Sequence, residues 1–170
     1  DGKFFSLSKS VLNEGNIKLN DGYLGGQRII NKGEISGFGN MFNDITNEGI
    51  VRAQDGQLLF TSSISNVGSS ANVIVGSQSG GEFGDELRMS NSSISGGTVT
   101  VKTNTQLSGT GSLSNVKLFN SGTVVANRGG FLNLKTATGS SNTGTIGAQG
   151  GTLNLSGQEL NNTNGIILAD

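Results

Sequence analysis

Histidine, cysteine, proline and tryptophan are all missing from this 170-residue chain, and tyrosine occurs once, as Tyr23. Without histidine or cysteine, the commonest general base, the usual nucleophile–base pairs and most transition-metal sites are out of reach. Neither a disulfide framework nor a thiolate metal site can form, a composition compatible with export in bacteria. Carboxylates, lysines, arginines and one phenol remain. Glycosidases and polysaccharide lyases can work with such groups, but no carboxylate pair recurs on one strand face. The expectation is a protein that is not an enzyme, with no catalytic residue and no cofactor.

Charge is also scarce. The formal net charge is −1, and no lysine- or arginine-rich run supplies the footprint of a nucleic-acid binder. No stretch approaches the eighteen apolar residues of a membrane span, so membrane insertion is not expected. Asp1 does not begin a signal peptide, so an exported form of the chain would be a mature or excised segment. Residues 1 to 88 carry ten acids and seven bases, whereas residues 89 to 170 carry two acids and four bases. The second half therefore offers Ser, Thr, Asn and Gly, which hydrogen-bond water or sugars without strong fields.

Glycine is abundant, 29 residues in 170, and with the Asn, Ser and Thr content it resembles the composition of disordered segments. Recurrent apolar columns argue against disorder. Helix is the poorer fit still, since no stretch keeps apolar residues at i, i+3, i+4 and i+7 for three turns.

The columns come from a repeated phrase, Asn-x-Gly-x-(Val/Ile)-x-Ala, at Asn47 to Ala53, Asn120 to Ala126 and Asn142 to Ala148, with a Thr163 to Ala169 copy lacking only the leading Asn. Looser copies place marker glycines at 15, 33, 49, 68, 97, 122, 144 and 165, roughly 21 residues apart, as in one turn of a solenoid. Overlaying the best copies gives the apolar columns Val51/Val124/Ile146/Ile167 and Ala53/Ala126/Ala148/Ala169 around a variable position held by Arg52, Val125, Gly147 and Leu168. Fixed apolar residues alternating with variable ones mark a strand with one buried face. On this register Arg52 and Val125 should face outward. A second strand follows at Leu58/Leu132/Leu153, after corners rich in glycine. Ile35-Ser36-Gly37-Phe38-Gly39 also resembles Leu107-Ser108-Gly109-Thr110-Gly111 at an offset of 72 residues, which indicates duplication of a larger block. The expected fold is all-β, a right-handed parallel β-helix of about eight turns forming a single solenoid domain over 1–170. Asn47, Asn120 and Asn142 are expected to form an amide ladder along one corner.

Few residues present themselves as a site. Glu82, Asp85 and Glu86 fall together in the longest gap between markers, and three carboxylates within five residues could hold a hard cation such as calcium. The plainer reading, and the one expected, is a solvated loop with Arg88 as ion partner and no metal. Residues 76 to 86 are expected to leave the stack. Thr-x-Thr pairs occur at Thr98/Thr100, Thr103/Thr105, Thr136/Thr138 and Thr143/Thr145, but at differing offsets from the marker glycines, unlike an ordered ice-binding ladder; β-propensity explains them.

Leu107-Ser108-Gly109-Thr110-Gly111-Ser112-Leu113, Asn120-Ser121-Gly122-Thr123-Val124-Val125-Ala126 and Gly150-Gly151-Thr152-Leu153-Asn154-Leu155 resemble phrases in the β-helical passenger regions of autotransporter and filamentous-haemagglutinin-like adhesins. These belong to the broad pectin-lyase-like class of β-helices. The resemblance runs from about residue 11 to the end. It implies a secreted protein at a bacterial cell surface or in its surroundings, serving as an extracellular structural or adhesive shaft. Expected partners are further repeats of the same protein, or identical subunits end to end, and host or matrix glycans. A carbohydrate-active module, a tailspike-like hydrolase or a lyase, is the alternative.

Overall fold

The computed structural model describes residues 3–78 and 84–170, and among them there is no helix. The first strands are β1 (Phe4–Leu7), β2 (Val11–Asn13), β3 (Asn16–Gly26), β4 (Ile29–Asn31), β5 (Glu34–Met41) and β6 (Ile45–Asn47). β7 (Ile50–Phe60), β8 (Ser63–Asn66), β9 (Asn72–Val75), β10 (Glu86–Ser95), β11 (Thr98–Val101) and β12 (Gln106–Asn120) follow. The last are β13 (Thr123–Ala126), β14 (Phe131–Thr136), β15 (Ser140–Asn142), β16 (Thr145–Ala148), β17 (Thr152–Gly157), β18 (Leu160–Asn161) and β19 (Ile166–Ala169). Every pairing is parallel, which makes the chain a parallel β-solenoid.

Register sorts the strands onto three faces. The first face stacks β2, β4, β6, β8, the end of β10, the middle of β12, β14 and β17. The second stacks the beginnings of β3, β5 and β7, then β9, β11, the end of β12, β15 and β18. The third runs from β1 through the ends of β3, β5 and β7 and the beginnings of β10 and β12 to β13, β16 and β19. That is eight rungs on each of the first two faces, and about eight turns in all.

Inward positions are filled rung by rung. On the first face Ile29, Ile45, Ile64, Ile94, Leu113, Leu134 and Leu155 form one continuous aliphatic column. Each strand turns alternate side chains inward, and no rung can cover its own apolar side, so burial comes from the rungs above and below.

The overlay of the phrases is corrected by this register. Val51 stacks with Ile35 and Val73 on the second face, whereas Val124 stacks with Leu107 and Ile146 on the third. The two are equivalent in the phrase but stand on different faces. Thr98 pairs with Lys117, 19 residues on, so the 25-residue gap from Gly97 to Gly122 holds one turn plus one more side. The copies 72 residues apart show the same advance: Gly37 and Gly39 bend the chain from the second face to the third, Gly109 and Gly111 from the third to the first. In both, the two glycines have positive φ, 120° and 125° against 110° and 152°.

Val51, Leu58, Val124, Leu132 and Ile146 are buried, as the alternation predicts. Leu153 is half-buried, and Ile167, on the last rung of the third face, is 52% exposed because nothing stacks on it. Arg52 and Val125 do lie outside the core cluster, but neither is exposed. Arg52 is 4% exposed: the chain leaving β9 passes over the second face, and Gly76 O accepts from the guanidinium at 3.3 Å. Val125 is 1% exposed, between Ser108 on one side and Gly147 on the other. Gly147 has no side chain to hold the next rung off, and Leu168 Cβ lies 3.3 Å from the place a Gly147 Cβ would take.

Candidate functional site

The marker glycines and their asparagines build the corners. Asn31 donates to Asn47 Oδ1 at 2.8 Å and to Ile50 O at 2.9 Å, and accepts from Asn13 at 2.7 Å. Asn47 Oδ1 also accepts from Gly49 N, 3.3 Å away, and its amide continues to Asn66 at 2.8 Å. Each amide thereby satisfies both of its donors and its oxygen inside the stack. The first ladder, Asn13–Asn31–Asn47–Asn66, ends where Asn66 donates to Gly96 O. A second ladder, Asn120–Asn142–Asn162, with contacts of 2.7 and 2.6 Å, lies along a different edge. Two ladders on two edges replace the single one expected. After Asn47 and Asn142 the glycine two places on is needed for space: a Cβ on Gly49 would stand 2.1 Å from Gly33 O, and one on Gly144 2.1 Å from Gly122 O.

Glu82 lies outside the described residues. Asp85 is buried, and its Oδ1 accepts from Gly56 N at 3.1 Å. Glu86 belongs to β10 and not to a loop, so the expected excursion of residues 76 to 86 is corrected at that residue, while 79–83 lie outside the described residues. Its Oε1 accepts from Ser108 Oγ and from Gln106 Nε2, and its Oε2 from Gln57 Nε2 at 2.5 Å. A carboxylate at an outward position of a paired strand finds its partners in the rungs on either side, which here are amides and a hydroxyl. Among the described residues no three His, Cys, Asp or Glu side chains come together as a metal cluster. The ion pairs there are Lys32–Glu48 and Arg52–Glu34, at 3.9 and 2.8 Å; Arg88 is exposed.

A concave surface that the motifs did not mark lies on the outside of the first face. It is an open trough of about 590 Å³ that begins at Asp44 and reaches Phe131 and Asn133. Ser63, Ser93, Ser112 and Asn133 are register partners in successive rungs, so the trough has a floor of hydroxyls and an amide. The alternation that turns Ile64, Ile94, Leu113 and Leu134 inward turns these four outward. Phe131 stands at one end, 46% exposed. At the other, Asp44 Oδ1 accepts from Ser62 Oγ at 2.5 Å, Ser63 Oγ at 2.6 Å and Ser63 N at 3.1 Å. The two seryl hydroxyls, helped by the Ser63 backbone N–H and the charge of Arg28, hold the Asp44 carboxyl below its ordinary pKa despite some desolvation. Outward serines signal only solvent exposure in a sequence; their alignment appears once the rungs are in register.

This geometry offers hydrogen bonding, one fixed negative charge and one apolar ring. No protein-family model matches the chain, and no curated protein or solved structure matches it, so the fold rests on its own stacking and the function on the chemistry of these surfaces.

Proposed function

We propose that the chain is a length of extracellular structural or adhesive shaft from a bacterial surface protein or fibre. The observation that carries this reading is the stack itself, whose apolar interior runs from turn to turn with each rung buried by its neighbours. Partners that suit such a shaft are further turns of the same protein or identical subunits end to end, with host or matrix glycans along its surface. Eight turns at about 4.8 Å give a rod of roughly 38 Å, and longer arrays would extend it in proportion. The phrases shared with autotransporter and filamentous-haemagglutinin-like adhesins support the same reading, and with it a secreted, cell-surface location. Neither nucleic acid nor membrane insertion enters this picture.

A glycoside hydrolase is less well supported, because hydrolysis uses two carboxyl groups flanking the scissile bond and the trough is lined by one, Asp44. Electron microscopy of the native assembly with an antibody to the chain tests the shaft. Expected is label along extracellular fibres or surface projections; label confined to the cell interior would overturn it.

A further inference from the structure

We propose that the trough on the first face is a binding site for a neutral glycan chain lying along the axis of the stack. The inference goes beyond the shaft reading and does not depend on how the end rungs are met. From the Asp44 rung to the Phe131 rung is four steps, about 19 Å at 4.8 Å each, so the site is long and open, shaped for a chain and not for a compact metabolite. Ser93, Ser112 and Asn133 present both donors and acceptors, and Ser63, whose hydroxyl proton goes to Asp44, presents an acceptor, which suits a ligand with hydroxyls of both roles along its length. Phe131 offers a flat apolar face whose negative π-surface attracts the weakly positive C–H face of a sugar ring. The trough supplies no row of apolar pockets of the kind that reads alternate side chains of a peptide.

Asp44 sets the sign of the ligand. With Oδ1 fixed by Ser62 and Ser63, the carboxylate is already oriented, and no described side chain engages Oδ2. Adjacent sugar hydroxyls can donate to it without either partner reorganising, and charge-assisted bonds of this type are the stronger ones. The depressed pKa keeps the group ionised in mild acid, so a uronate brought beside it is repelled.

Isothermal titration of the full chain with cellohexaose, maltohexaose, chitohexaose and hexagalacturonate tests the proposal, with ¹H–¹⁵N spectra reporting the side-chain amides of Asn91 and Asn133, both of which line the trough. Expected is binding of at least one neutral hexasaccharide that shifts both amides, and binding of hexagalacturonate weaker by roughly tenfold or more. Phe131→Ala and Asp44→Ala should each weaken the neutral ligand roughly tenfold. Phe119→Ala, which removes an exposed ring from the second face, should leave it unchanged; circular dichroism confirms that each variant is folded. Failure of all three neutral sugars to shift the amides would overturn the proposal. So would equal binding of hexagalacturonate, or an equal loss in Phe119→Ala and Phe131→Ala.

Discussion

In the turns before Gly97 the asparagine ladder runs along the edge between the first and second faces; in the turns after Asn120 it runs along the edge between the second and third. Local chemistry is the same in both. At Asn31, Asn47, Asn120 and Asn142 the amide donates to the Asn one turn on, and the glycine two places later is pressed against a carbonyl of the preceding rung. What changes is the side of the coil on which the phrase is spent. A three-sided solenoid has three corners of similar shape, so a corner device can move to the next one without disturbing the core. The connection that moves it is β12, 15 residues long, which crosses all three faces without a break in the strand.

The strongest test of this equivalence is a methyl group. Gly49→Ala and Gly144→Ala each put a Cβ 2.1 Å from a backbone oxygen and should each cost about 4 kcal/mol or more in urea unfolding. Gly15→Ala, the same residue in the phrase but with nothing within 4 Å, should stay within about 0.5 kcal/mol. If the three variants behaved alike, the close approach would not be what selects glycine. Next in size is Val125→Asp. The phrase alone reads this position as a free outward one, but its burial points to a loss of about 3 kcal/mol, and an unchanged melting temperature would show that the third face opens there.

Asn31→Ala and Asn142→Ala probe the two ladders directly. Each removes a buried amide from between two others and should cost about 2 kcal/mol; if only one were costly, the ladders would not be equivalent. Arg52→Ala has no counterpart in the later turns. It leaves Glu34 without its partner, and because that carboxylate keeps some access to water, the loss should be about 1.5 kcal/mol, below that of a fully buried pair. High salt would expose the difference, since it should not reproduce the loss in a roofed pair.

The smallest effect belongs to Asp44. A carboxyl whose pKa is lower in the folded state adds stability above its ordinary value of 3.8 and loses it as pH falls through the lower folded value. Thermal melts of Asp44→Asn should therefore lie slightly below those of the natural chain at pH 6 and converge with them below pH 3.8. No gap at pH 6 would mean the serines bind the amide as well as they bind the carboxylate.

Much of this architecture could be read without coordinates. Alternation in Val51, Val124 and Ile146 gave the strands, and the spacing of the marker glycines gave about eight turns. Recurrent Asn announced the ladders, because an amide that returns at a fixed place in each turn has its own kind above and below. Arg52 and Val125 face away from the core, as read from the alternation, but both are covered. Alternation reports only whether a side chain leaves the core; coverage of the outer surface depends on segments remote in sequence, here the chain at Gly76 and the rung holding Leu168. Of the acidic trio, Glu86 sits in a paired strand and spends its oxygens on Gln57, Gln106 and Ser108, partners that only the rung register supplies.

Strand, corner and turn length were thus fixed by the sequence alone, because each is a local matter of side-chain period and of which residues tolerate a tight bend. The tertiary structure decided which of three similar edges each copy of the phrase occupies and which outward side chains are covered. It also decided that four outward residues from separate turns, Ser63, Ser93, Ser112 and Asn133, form the floor of one trough. Such assignments depend on which rung hydrogen-bonds to which, and a repeat whose corners are interchangeable carries no local mark of that choice.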